Sequence, residues 1–189
     1  MKPHALIFSG FGLNCEEETK IAFELAGARA SIVHIHDVIS RSTILKSFEI
    51  LAFPGGFSFG DDTGSGTAYA LKVKNHLWES LRSWIDRKGL MIGICNGFQI
   101  LVALGLLPAV DNDFGKQQAA LLPNTSLRYT VRWVDVHSEG LSPWLHGLDH
   151  VSLPIAHGEG RFYASDDILD KLERKRMVAL RRMFWPSLE

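Results

Sequence analysis

Leu90-Met91-Ile92-Gly93-Ile94-Cys95-Asn96-Gly97-Phe98-Gln99-Ile100-Leu101-Val102-Ala103-Leu104-Gly105 decides how this chain is read. Its first three residues are wholly apolar, as a parallel strand buried on both faces requires. Residues 98–104 read as a helix, and Gly105 is placed to end it. Between the two stands Gly-x-Cys-x-Gly, the cysteine form of the nucleophile elbow. So sharp a strand-to-helix turn tolerates only glycine on either side, and it pushes the thiol into the open. Cys95 also stands at a helix N-terminus, where the macrodipole favours negative charge. A buried structural cysteine is the plain alternative, as most lone cysteines are. The flanking glycines and the strand–helix setting favour the nucleophile.

A chain of 189 residues is sized for one domain and long enough for a substantial core. A net charge of −1 with 22% charged residues gives no support to nucleic-acid binding or to an anionic membrane surface. The two cysteines, Cys15 and Cys95, form no CxxC pair, and the eight histidines are scattered. Neither a disulfide framework nor a metal site is expected, and free thiols suit a reducing compartment. The apolar run at 5–8 is too short for a signal peptide or a membrane span. A soluble, cytoplasmic protein is the expectation.

Outward from the elbow, short apolar runs alternate with helical patterns, the mark of an open, mostly parallel sheet with helices on both faces. Strands are predicted at 5–8, 31–35, 50–53 and 90–92. Asn14 is placed to cap a helix that begins with Glu16, Glu17 and Glu18 and ends at Gly27. Ala70, Val73, Leu77, Leu81 and Trp84 recur at helical steps within 70–88, with Gly89 as the stop. Trp78 and Trp84 follow that period and read as core. After Pro108 the pattern changes. Tyr129, Val131 and Trp133 alternate with Arg128, Thr130 and Arg132, which predicts a half-exposed strand in a small antiparallel patch. Further strands are expected at 151–156 and 177–180, with a short helix at 167–172. The basic run at 171–176 reads as a solvated helix end, and His34 and His36 as structural residues on a strand.

Two more stretches carry chemistry. Pro54-Gly55-Gly56-Phe57-Ser58-Phe59-Gly60-Asp61-Asp62 follows the third strand. Loops at the carboxyl ends of parallel strands build sites, and paired glycines let backbone N–H groups turn toward an oxyanion. An ordinary glycine turn is the alternative. No Gly-Lys-Ser/Thr follows, which excludes a P-loop. Pro154-Ile155-Ala156-His157-Gly158-Glu159-Gly160-Arg161-Phe162 ends another strand with His-x-Glu, a base and an orienting carboxylate in principle. A polar loop facing a ligand or another chain is the alternative.

Together with Gly10-Phe11-Gly12-Leu13-Asn14-Cys15-Glu16, these motifs resemble the glutaminase subunit of phosphoribosylformylglycinamidine synthase, a class I, triad-type glutamine amidotransferase of purine biosynthesis with a flavodoxin-like fold. The likeness runs from the first strand to about Leu180. It implies that Cys95 attacks the side-chain amide of glutamine and that N–H groups near Gly56 and of Asn96 hold the oxyanion, with Gly55 and Gln99 helping to bind glutamine. It implies release of ammonia and hydrolysis of a γ-glutamyl thioester. The ammonia would pass to a synthetase subunit that uses ATP and Mg to make formylglycinamidine ribonucleotide, with a further small subunit as an additional partner. No cofactor is expected in this chain.

The chain departs from the family in one respect. The family's base and its carboxylate lie in a Pro-His-Pro-Glu motif near the C-terminus, and no histidine here follows His157. The sequence reading is therefore a single amidotransferase domain, 1–189, incomplete at its C-terminus, with impaired glutaminase activity and an apolar strand edge left uncovered. His157, Glu159 and Arg161 are candidates for a substitute base or, in preference, for a surface facing the partner. Two other readings stand beside this one. The first is a non-catalytic docking subunit of the same complex. The second is an unrelated cysteine hydrolase using Asp135 or Asp149 with His157.

Overall fold

The computed structural model describes residues 2–62, 64–139 and 141–183. The chain gathers into two compact units, residues 1–107 with 114–117 and residues 108–113 with 118–189. In the first unit, β1 (His4–Ser9), β2 (Arg29–His34), β3 (Ile50–Phe53) and β4 (Leu90–Gly93) form a parallel sheet in the order β2-β1-β3-β4. Leu6 lies opposite Ser31 on one side and Leu51 on the other. Parallel neighbours need crossovers. These are α1 (Glu16–Leu25), α2 (Ile35–Ser40) with a 3₁₀ turn at Ser42–Ser47, and α3 (Thr67–Asp86); α4 (Asn96–Ala103) follows the last strand.

Ala5, Leu6, Ile7 and Phe8 point alternately to opposite faces, yet none exceeds 1% exposure. Both faces of the sheet are therefore covered, as its unbroken apolar strands required. The helical stripe of α3 buries Tyr69, Ala70, Val73, Leu77, Leu81 and Trp84 in one cluster with Leu6, Phe8, Leu51 and Phe53. Phe8 and Phe53 stack at 4.3 Å. Trp84 is core as expected, and its Nε1–H donates to the carbonyl of Phe48 at 2.9 Å. Trp78 packs only against the rim of the cluster. Trp84→Phe would remove the donor from that buried carbonyl and leave a gap where the indole lay. It is expected to destabilise the chain by about 2 kcal/mol, measured by urea unfolding.

Several boundaries differ from the sequence reading. Helix α1 is capped at Cys15 rather than Asn14, without a side-chain cap bond. The residue 14 and 15 N–H groups both donate to the carbonyl of Gly55, at 3.2 Å. Ile35 and His36 are helical: strand β2 ends at His34, whose Nδ1 accepts the His36 N–H at 3.2 Å and starts α2. The rings of His34 and His36 then pack against Phe11. Lys88, at φ 60°, takes the left-handed turn expected of Gly89. Gly105 ends α4 as expected, its N–H donating to Val102 O at 3.0 Å.

The second unit is built on antiparallel pairs. β5 (Ala119–Leu122) pairs with β8 (Arg161–Ala164), while β6 (Thr130–Ser138) lies between β7 (His150–His157) and β9 (Leu180–Arg182). Helix α5 (Asp166–Arg174) follows β8. Strand β9 begins where the expected 177–180 strand ends. The basic run is more engaged than a solvated helix end: Lys171 pairs with Asp167 at 3.0 Å, and Lys175 with Asp111. Register places Val131 opposite Ala156 and Trp133 opposite Pro154. On that face Val131 and Trp133 are 73% and 69% exposed. Residues 184–189, on which part of the C-terminal reading rests, lie outside the described residues. Among the described residues, no helix is long and apolar enough to cross a membrane.

Candidate active site

Strand β4 runs into α4 through Cys95, whose backbone sits at φ 52° and ψ −113°. A side chain held at positive φ costs on the order of 1–3 kcal/mol, and such strain persists only where the surroundings enforce it. Here they do. Ile94 N–H donates to Phe53 O at 3.0 Å, and Gly97 N–H donates to Ile94 O at 2.9 Å. A Cβ at Gly97 would stand 1.9 Å from Phe53 O, and one at Gly93 2.6 Å from Gly97 O. The turn is thus pinned to β3 on one side and closed by its own glycines. Cys95 is left exposed while Asn96 and Gly97 are buried.

Asn96 ties this elbow to the glycine loop. Its Oδ1 accepts the Ser58 N–H at 3.0 Å, and its Nδ2 donates to Asp61 Oδ1 at 3.1 Å and Gln99 Oε1 at 2.9 Å. Its own backbone N–H opens α4, where amides lack intrahelical acceptors. The loop is held from the other side by residues 10–14. Phe57 N–H donates to Gly12 O at 2.9 Å, Phe59 N–H to Phe11 O at 2.7 Å, and the residue 14 and 15 N–H groups share Gly55 O at 3.2 Å. These bonds bracket an antiparallel bridge between Leu13 and Gly56. In such a bridge the Gly56 N–H points away from the partner strand. Gly56 adopts φ 147°, and a Cβ there would stand 2.3 Å from Gly12 O, so the position admits only glycine.

Cys95, Gly55, Gly56, Asn96 and Gln99 are therefore brought together within the first unit. Asp61, Ser58 and Cys15 join them, although the sequence reading did not select them. Asp61 lay in the quoted loop, but nothing in its spacing marked it as the partner of Asn96. Ser58 Oγ and Glu16 Oε2 are buried with no hydrogen-bond partner among the described residues. Asn96→Ala would strand the Ser58 N–H in a buried setting and release the loop from α4. It is expected to cost roughly 2–3 kcal/mol, measured by chemical denaturation. Asn96→Asp should do no better, because one carboxylate oxygen would face Asp61 and Gln99 Oε1.

His157, Glu159 and Arg161 belong to the second unit. There Asn124, also missed by the sequence reading, organises the segment. Its Nδ2 donates to the carbonyls of Arg128 and His157, both at 2.9 Å, and its Oδ1 accepts the Gly160 N–H at 3.3 Å. Asn124 Oδ1 also lies 2.9 Å from His157 Nδ1. An amide oxygen only accepts, so Nδ1 carries the proton and Nε2 of a neutral ring is left as an acceptor. The ring borders an open cavity of about 620 Å³ lined also by Thr130, Arg132, Arg161 and Arg182. Arg161 is oriented by a 3.3 Å bond from Nε to Pro123 O. Among the described residues, no group of three or more His, Cys, Asp or Glu could hold a metal.

Known proteins resemble this chain over most of its length. The chain is 45% identical over 177 residues to the phosphoribosylformylglycinamidine synthase subunit PurQ of Methanococcus maripaludis, covering 93% of this chain and 65% of that one. It is 41% identical over 173 residues to the PurQ subunit of Dehalococcoides mccartyi, covering 90% and 67%. The chain thus spans about two thirds of the length of the curated relatives it matches. A chain in the structure of PurLQS from Thermotoga maritima superimposes with a TM-score of 0.74 at 31% identity, over 98% of this chain and 76% of that chain. A family model described as the CobB/CobQ-like glutamine amidotransferase domain matches residues 2–183, and the chain belongs to that family.

Proposed function

We propose that this chain is the glutaminase part of a phosphoribosylformylglycinamidine synthase. It would hydrolyse glutamine to glutamate and ammonia and hand the ammonia to a synthetase subunit. The observation that carries the reading is Cys95, exposed and held at positive φ at the head of α4, beside the Gly55-Gly56 loop. The relatives named PurQ and the PurLQS likeness support the choice of substrate and partner.

In this mechanism Cys95 Sγ attacks the side-chain carbonyl carbon of glutamine. Negative charge builds on the carbonyl oxygen, and the N–H groups of Gly56 and Asn96 are its donors. Both are backbone amides in braced turns, so neither has to reorganise as the charge forms. Gln99, bonded to Asn96, and Gly55 shape the seat of the substrate. Collapse of the tetrahedral species expels ammonia and leaves a γ-glutamyl thioester, which water converts to glutamate and free thiol. The chain needs no resident cofactor for these steps, and the ATP and Mg chemistry falls to the synthetase. A further small subunit would complete the assembly, and the site of action is the cytoplasm. His157, Glu159 and Arg161 are assigned to a surface facing the synthetase or the path by which ammonia leaves.

A diazoketone analogue of glutamine tests the reading, since it alkylates a cysteine only where that cysteine and a glutamine seat coincide. One equivalent should attach, at Cys95, and glutamine should protect while leucine does not. Equal labelling by the corresponding leucine diazoketone would show a reactive thiol without a glutamine site and would sink the proposal.

A further inference from the structure

The chain has two cysteines, distant in sequence, and the mechanism uses one of them. The other borders the same small gap. A Cβ built on Gly55 would stand 3.4 Å from Cys15 Sγ, 3.7 Å from Cys15 Cβ and 3.5 Å from Cys95 Cβ, and these are its three nearest neighbours. Because residue 55 is glycine, no side chain separates the two. Cys15 is anchored there, since its N–H and that of Asn14 both donate to Gly55 O at 3.2 Å. Both thiols are free; Cys95 is exposed and Cys15 partly covered. Burial pushes the Cys15 thiol up, and the nearby Glu18, Cys95 and Glu16 add to the effect. Cys15 is thus kept as a protonated thiol that oxidants in solution attack slowly. A disulfide needs the two Cβ atoms about 3.5–4.5 Å apart. The Cβ atoms of Cys15 and Cys95 lie 3.7 and 3.5 Å from one empty point, so they stand no more than about 7 Å apart. A backbone approach of at most a few ångströms at the residue 15 loop, with rotation of both thiols toward each other, meets that requirement.

We propose that Cys15 and Cys95 are a redox pair, in which Cys15 captures peroxide-oxidised Cys95 as a reversible intramolecular disulfide. The sulfur of Cys95 attacks a hydroperoxide oxygen: an S–O bond forms, the O–O bond breaks, and hydroxide or alkoxide leaves. Sulfur is oxidised and the peroxide reduced. The sulfur of Cys15, giving its proton to solvent, then attacks the sulfenic sulfur, so that S–S forms, S–O breaks and water departs. A dithiol reductant restores both thiols. The bond occupies the nucleophile, so the oxidised chain is inactive. It is also protected, since a sulfenic acid left alone proceeds to irreversible sulfinic and sulfonic acids.

Peptide mapping of the full chain under non-reducing conditions, after titration with hydrogen peroxide, tests the pair. The expected product is one linked species joining the peptides that hold residues 15 and 95, lost on adding dithiothreitol. Cys15→Ser should form no link and should accumulate sulfinic acid at residue 95 several-fold faster. A wedge provides an independent variant. Gly55 lies outside the left-handed region, and a Cβ there makes only ordinary contacts. Gly55→Ala should therefore fold and form the link several-fold more slowly. Equal over-oxidation of Cys95 in the parent and in Cys15→Ser would overturn the pair, as would links found only between separate chains. Neither readout uses glutamine turnover, so a chain inactive on glutamine would leave this inference standing, and a failed link would leave the glutaminase reading untouched.

Discussion

Replacing Cys95 by alanine is expected to abolish capture of the glutamine diazoketone and to remove the glutamine hydrolysis that the chain shows, measured as glutamate release. The reason is what remains. The oxyanion donors and the glutamine seat are backbone and buried amide groups that the substitution leaves in place, so binding should change little while the covalent step disappears. Cys15 borders the same gap, but its thiol is pushed up by burial and by neighbouring carboxylates, so the label should not migrate to it. Stability should move the other way. Cys95 holds φ 52° with a side chain attached, and Cys95→Gly relaxes that strain. The glycine variant should unfold at higher denaturant, by about 1 kcal/mol, while being as inactive as Cys95→Ala. Activity lost together with stability in Cys95→Gly would mean that the elbow is an ordinary packed turn. The pairing of two opposite effects at one residue is what marks strain kept for chemistry.

What the sequence could declare depended on whether a local pattern had only one physical outcome. The strands at 50–53 and 90–92 read correctly because an unbroken apolar run that leads into a glycine turn has few other uses, and the α3 stripe because five residues shared one helical face. The elbow read correctly because Gly93 and Gly97 leave a strand-to-helix turn no alternative. The failures were non-local. Nothing near Asn14 says that the N–H groups of residues 14 and 15 both bond Gly55 O, or that the cap falls on Cys15. Val33, His34, Ile35 and His36 alternate like a strand, but the His34 ring caps the His36 amide and turns the chain into α2. Strands β5 and β8 were missed because only their mutual pairing defines them. The site divides along the same line. Cys95, Gly55, Gly56, Asn96 and Gln99 sit in motifs whose spacing carries meaning. Asp61 and Asn124 act through partners 35 and 33 residues away, which no short window contains. Cys15 lay inside the quoted 10–16 motif, yet its place across Gly55 from Cys95 is visible only in three dimensions.

Gly97→Ala should be the most damaging single-methyl change in the chain. The added Cβ would stand 1.9 Å from Phe53 O, 2.5 Å from its carbonyl carbon and 2.9 Å from its Cβ, far inside van der Waals contact. Two of those atoms are backbone in a central strand, so no side-chain rotation relieves the clash. Either α4 must lift away from β3 or the end of β3 must move. Lifting α4 would take Ile100 and Leu101, both almost fully buried, out of the core and break the Ile94 N–H bond to Phe53 O. Moving β3 would disturb its register with β1 and β4 and carry Gly55 and Gly56 with it. Overpacking of this kind costs roughly 1–3 kcal/mol where side chains can yield, and more is expected where only backbone can. Thermal unfolding should show a loss on the order of 10 °C, since about 3 kcal/mol lowers the midpoint of a chain this size by roughly 6–12 °C. Labelling of Cys95 should fall with it, because Asn96 and Gly56 would no longer face the nucleophile together. A Gly97→Ala chain that melts with the parent and still takes the label would show that the tight strand–helix approach is not what shapes the site.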